Sequence, residues 1–96
     1  MWFLLTYELE VTEEFSKEYT KITRKDKGLL SSFEKKIEFL LENPFNSKPM
    51  QHSFSGNRRV HLSRCFVLIF EINESNKTIL LKIIAHHDDA YIRDLD

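Results

Sequence analysis

Two nearly continuous apolar runs, residues 65–72 and 78–85, are separated by five residues, which include Asn73-Glu74-Ser75-Asn76, a good turn sequence. A strand with one wet side alternates apolar with polar residues. Runs without alternation belong to central strands covered on both faces. A chain with such a pair must supply two layers of cover, or leave one face to something it does not carry. Cys65, which opens the first run, is expected in the core.

One cover is easily found. Leu5, Tyr7, Leu9 and Val11 alternate with Thr6, Glu8 and Glu10, which predicts a strand with one buried face. Thr12 before Glu13 and Glu14 predicts an N-cap and a first turn that suits the helix dipole. Phe15, Tyr19 and Ile22 follow at helical spacing, and Arg24, Lys25 and Lys27 crowd the end before Gly28. A second helix carries Leu29, Leu30, Phe33, Ile37, Leu40 and Leu41 on one stripe, and stops at Asn43 because Pro44 disfavours helical geometry before it. Residues 44–57 read as a loop, and Val60 and Leu62 mark a short strand. The predicted order is βααβββ: an α+β domain, with a helical hairpin packed on a mixed, mainly antiparallel sheet. Residues 86–96 are polar, with Tyr91, Ile92 and Leu95 available to dock a last turn.

At 96 residues the chain has room for one domain, residues 1–96, and 42% hydrophobic content excludes general disorder. A single cysteine excludes a disulfide framework and multi-cysteine metal sites. Trp2-Phe3-Leu4-Leu5 is too short for a signal-peptide core and lacks a basic leader. No run reaches the length of a membrane span, so a cytoplasmic domain without membrane contact is expected. The absence of P-loop, GxGxxG and GxSxG patterns removes nucleotide cofactors and the common hydrolase triads, and no cofactor is expected.

Charge is segregated along the chain. Residues 1–43 hold 7 Lys/Arg against 9 Asp/Glu, whereas residues 44–70 hold Lys48, Arg58, Arg59 and Arg64 with no acid at all. His52 and His61 lie in the same basic stretch. A basic stripe on a chain of net charge −1 points to a local anion site rather than a general nucleic-acid coat. Strand parity puts Arg59 and His61 on one face, while Arg58, Val60 and Leu62 take the other. His86 and His87 diverge at the end of the last strand, so one of them at most can join Arg59 and His61. That divergence, with no HxH or HxxxH pair, argues against reading His86-His87-Asp88-Asp89 as a metal site.

A surface that gathers histidines, an arginine and a tyrosine suits RNA scission by the neighbouring 2′-hydroxyl. That reaction needs a base, an acid and a cation. Imidazole serves the proton transfers near neutrality, a guanidinium holds the phosphate, and an aromatic ring can stack a splayed base.

Several segments in order then carry a resemblance. They are the strand–two-helix opening, the Pro44 boundary, His52-Ser53-Phe54-Ser55-Gly56, Arg59-Val60-His61-Leu62, the strand from Phe66 to Ile72, and His86-His87-Asp88-Asp89-Ala90-Tyr91. Together they resemble the RelE/ParE superfamily of type II toxin–antitoxin toxins, most of all its YafQ and YoeB branches, over almost the whole chain. The resemblance implies a RelE-like domain acting as a ribosome-dependent, metal-independent mRNA endoribonuclease. It aligns His52, His61 and His87 with catalytic histidines, Arg59 with the arginine at the scissile phosphate, and Tyr91 with the aromatic that orients the substrate. Lys48, Arg58, Arg64 and His86 complete the candidate substrate-binding set. The implied partners are a cognate antitoxin, in a hetero-oligomer, and the ribosome with its mRNA. Cys65 stands where the YafQ-like pattern has an aspartate. The alternatives are a ParE-like inhibitor of DNA gyrase and an inactive toxin-fold binding module.

Overall fold

The computed structural model describes residues 7–51, 54–63 and 65–86. Strand β1 (Glu8–Val11) leads into helices α1 (Glu13–Lys25) and α2 (Gly28–Glu42), followed by β2 (Lys48–Pro49), β3 (Arg58–His61), β4 (Phe66–Asn73) and β5 (Thr78–His86). The five strands form one sheet in the order β1-β5-β4-β3-β2. β1 runs parallel to β5 and every other pairing is antiparallel, so the sheet is mixed as expected. The α+β architecture with two helices on a mixed sheet agrees with the sequence; the two-residue β2 does not, because residues 44–57 read there as loop throughout.

Local chemistry sets the helix limits. The Thr12 hydroxyl accepts the Phe15 N–H at 3.0 Å, which satisfies one orphan donor of α1. The Asn43 N–H donates to Phe39 O and closes α2 one residue before Pro44. Phe15, Tyr19 and Phe33 stack between the helices, with Tyr19 and Phe33 ring centroids 4.6 Å apart.

Val67, Leu68, Ile69 and Phe70 are all fully buried, so β4 is covered on both faces, as its lack of alternation required. On one face Leu68 and Phe70 join Phe15, Leu29, Ile37 and Leu40 of the helices with Ile79, Leu81 and Ile84 of β5. On the other, Val67 and Ile69 meet Met50, Phe54, Ile83 and Ala85. The loop that carries Met50 and Phe54 is therefore part of the second cover. It turns through Gly56, whose φ of +94° is a conformation that side chains with a Cβ rarely adopt.

Two expectations fail at the margins. Leu9 and Val11, predicted on a buried face, are 38% and 43% exposed. They lie opposite Ile79 and Leu81 on the helix face, but β1 is the sheet edge, and α1 packs on β5 rather than beyond it. Cys65 is exposed and precedes β4 instead of opening it in the core. The core begins at Phe66.

Candidate functional site

Register places the basic residues. Across β3 and β4, Arg58 lies opposite Phe70, Arg59 opposite Ile69, Val60 opposite Leu68 and His61 opposite Val67. Residues directly opposite one another share a face. Arg59 and His61 therefore stand on the face away from the helices, with Val67 and Ile69, while Arg58 and Val60 stand on the helix face. The parity read from the sequence holds.

Strand β2 adds a cation to the same face, because Lys48 pairs with Arg59. The pairings continue across the sheet. Lys48, Arg59, Ile69 and Ile83 form one row, and His61, Val67 and Ala85 form the next. The result is a two-strand basic edge beside an apolar floor. His61 is exposed, Arg59 is half-buried and Lys48 is exposed. No acidic residue lies between positions 44 and 70, and a row of cations of this kind suits an anionic ligand.

Arg58, expected to bind substrate, is engaged elsewhere. Its Nε–H donates to Ser47 Oγ at 2.7 Å, and its Nη2 donates to the carbonyl oxygens of Ser47 (2.8 Å) and Phe45 (3.2 Å). The guanidinium also lies 5.2 Å from the centre of the Phe45 ring. Ser47 Oγ in turn donates to Pro44 O at 2.7 Å. Arg58 is thus spent on holding the segment before β2 and is not on the Arg59 face. Residues 45–47 were missed as site residues. Their signal was an arginine on the core side of a strand beside a stretch rich in hydroxyls and carbonyls, since such a guanidinium must find acceptors.

His86 also separates from the basic row. It pairs with Phe66, and the two rings meet edge to face at 5.5 Å. Phe66 packs against the helix-face core, so His86 sits on the side opposite Arg59 and His61. As a contact of any ligand held by that row it is corrected. His52, Arg64, His87 and Tyr91 lie outside the described residues. Of the nine candidates the structure brings together three: Lys48, Arg59 and His61.

Among the described residues, burial raises Tyr19 between the helices, and the other pKa shifts fall at the turn between β4 and β5. The Tyr7 hydroxyl donates to Glu74 Oε1 at 2.9 Å, and Lys77 Nζ lies 3.2 Å from the same oxygen. The Tyr7 hydrogen bond first, and then Lys77, hold the Glu74 carboxyl below its ordinary value. Glu74 raises Lys77 in return. This cluster ties the start of β1 to the hairpin and has no place in the basic row.

Comparison with known proteins gives one consistent result. Residues 9–91 match the family described as ParE toxin of type II toxin–antitoxin system, parDE. The protein named "Putative toxin RelE4" from Methanocaldococcus jannaschii is 35% identical over 85 residues, which cover 88% of this chain and 90% of that protein. Among solved structures, the RelBE2 toxin–antitoxin complex of Mycobacterium tuberculosis superposes with a TM-score of 0.72 at 16% identity, covering 88% of this chain and 95% of that one. A YoeB/ParE toxin from Agrobacterium tumefaciens superposes at 0.74 and 14% identity, covering 83% and 98%. At those identities the superpositions speak for the fold.

Proposed function

This chain belongs to the ParE toxin family of type II toxin–antitoxin systems, within the RelE/ParE superfamily, and on that premise we propose that it is an mRNA endoribonuclease acting on the ribosome. The observation that carries the reading is the placing of Lys48, Arg59 and His61 on one face of the sheet. An inhibitor that works by binding a protein target needs no imidazole beside a pair of phosphate-binding cations.

The reaction is transesterification. A base removes the proton from a 2′-hydroxyl, the freed oxygen attacks the adjacent phosphorus, and the bond from phosphorus to the 5′-oxygen breaks. An acid gives that leaving oxygen its proton, so the products are a 2′,3′-cyclic phosphate and a 5′-hydroxyl. His61 supplies one of the two proton transfers, and the family resemblance assigns the other to His87, with His52 a further catalytic histidine. Arg59 and Lys48 oppose the charge that builds on the phosphate oxygens. Tyr91, from the same resemblance, orients the substrate.

An antitoxin is the proposed partner, and β1 is where this chain offers it room. Leu9 and Val11 leave apolar surface open at the sheet edge, flanked by Glu8 and Glu10. Four exposed acids, Glu8, Glu10, Glu13 and Glu14, disfavour a second copy of the same edge and suit a partner segment with basic residues.

The test is cleavage of mRNA on a programmed ribosome, mapped by primer extension, with and without chelator, beside H61A and H87A proteins. Discrete cuts that survive chelator and vanish in the variants are expected. The match is to a ParE toxin description, and the ParE-like alternative that the resemblance implies is the second reading, inhibition of DNA gyrase. A folded protein that leaves mRNA intact and blocks supercoiling would replace the first reading with it.

A further inference from the structure

Strand β2 is two residues long, yet it delivers Lys48 to the basic row. A two-residue bridge does not hold itself in place, because few hydrogen bonds oppose the entropy of ordering the segment. What secures it comes from the other face of the sheet. Arg58 donates to Ser47 Oγ, Ser47 O and Phe45 O, and covers the Phe45 ring. Every one of these acceptors lies within the three residues before Lys48. Strand parity keeps Arg58 away from anything bound against Arg59 and His61, so it cannot reach such a ligand itself.

We propose that Arg58 is a positioning residue for the anion-binding row: it latches residues 45–47 to β3 and so sets Lys48 in register beside Arg59. The proposal rests on the nuclease reading for its substrate, an RNA phosphate, but the latch has a readout of its own. Arg59 sits on a four-residue strand paired along its length, and needs no latch; Lys48 depends on it. Loss of Arg58 should therefore imitate loss of Lys48, although the two side chains lie on opposite faces.

The experiment compares R58M, R58K, S47A, K48A and the double variant R58M/K48A with the wild-type protein. Cleavage on programmed ribosomes and affinity for poly(U) are measured across a salt series. Hydrogen exchange follows the Met50 amide, which donates to Asn57 O at 3.0 Å just beyond β2. R58M and K48A should each lower kcat/KM roughly tenfold, and flatten the salt dependence alike. The double variant should be no worse than K48A alone. R58K, which keeps a donor but loses the fork, should fall between. Met50 exchange should quicken roughly ten- to a hundredfold in R58M, the range for loss of charge-assisted bonds, and stay unchanged in K48A.

Independent, multiplying effects of R58M and K48A would overturn the proposal, as would unaltered Met50 protection in R58M. If R58M does not fold, S47A decides: it removes one acceptor only, and exchange as slow as in the wild type would overturn the latch. A wild-type protein that binds poly(U) but leaves mRNA uncut removes the nuclease reading, and the poly(U) and exchange results then still judge the latch.

Discussion

The two edges of this sheet are built on opposite terms. At one edge, all four residues of β1 are exposed, two of them acidic and two apolar. Leu9 and Val11 stand on the helix face but are 38% and 43% exposed. At the other edge, β2 contributes only Lys48 and Pro49, and a guanidinium on the far face holds the preceding residues. An open apolar edge with acids around it is a place for a partner protein. A short, braced edge that carries cations beside an imidazole is a place for an anionic substrate. On the proposed function, one sheet separates antitoxin binding from chemistry by its two edges.

The separation predicts which variants affect which property. Phe70 is fully buried in the central strand between the edges. F70A should cost about 3–5 kcal/mol and weaken both edges together, read as a fall in the urea midpoint with loss of cleavage and of antitoxin binding. His61 is exposed, so H61A should leave the urea midpoint in place. Cleavage should fall roughly a hundred- to ten-thousand-fold, the usual worth of a proton-transfer group, with antitoxin affinity unchanged. A parallel loss of antitoxin binding in H61A would join the two edges into one surface.

How much of this was legible before the fold follows from what each residue depends on. Ile69 and Phe70 announced a doubly covered strand because burial on both faces removes alternation, and Thr12 announced a helix start because capping is local. The Arg59 and His61 pairing was legible because parity along a strand is fixed. β2 was not, since its stability comes from Arg58, eleven residues from Ser47, and no periodicity can appear in two residues. Leu9 and Val11 misled for the reverse reason. Their alternation is real, but which face a helix covers, and how far it extends, is decided by packing. Cys65 was misplaced by one residue of strand boundary.

A charge on the apolar edge tests the other half of the comparison. V11E should leave the urea midpoint within about 0.5 kcal/mol of the wild type, because the side chain already meets water. Antitoxin affinity should drop roughly tenfold or more, as truncation of an interface anchor does, while ribosomal cleavage stays intact. Calorimetry with the purified antitoxin reads the first effect and primer extension the second. Unchanged affinity would place the antitoxin elsewhere.

The smallest effect separates the two tethers by pH. The start of β1 is tied down through Glu74, which accepts from the Tyr7 hydroxyl and pairs with Lys77. Its carboxyl is held below the ordinary 4.5, so the ionised form favours the folded state above that value. As pH falls through the lowered folded value, the contribution is lost. The Arg58 latch joins a guanidinium to two carbonyls and a hydroxyl, and no carboxylate takes part in it. Acid should therefore loosen β1 while β2 keeps its protection. The Glu8 amide, which donates to Lys77 O at 2.9 Å, should lose protection below pH 4.5 relative to Met50 once intrinsic exchange rates are removed. In E74Q the Glu8 amide should exchange faster than wild type at neutral pH, and the difference should vanish in acid. Equal acid sensitivity of Glu8 and Met50 would mean that the two edges open as one unit.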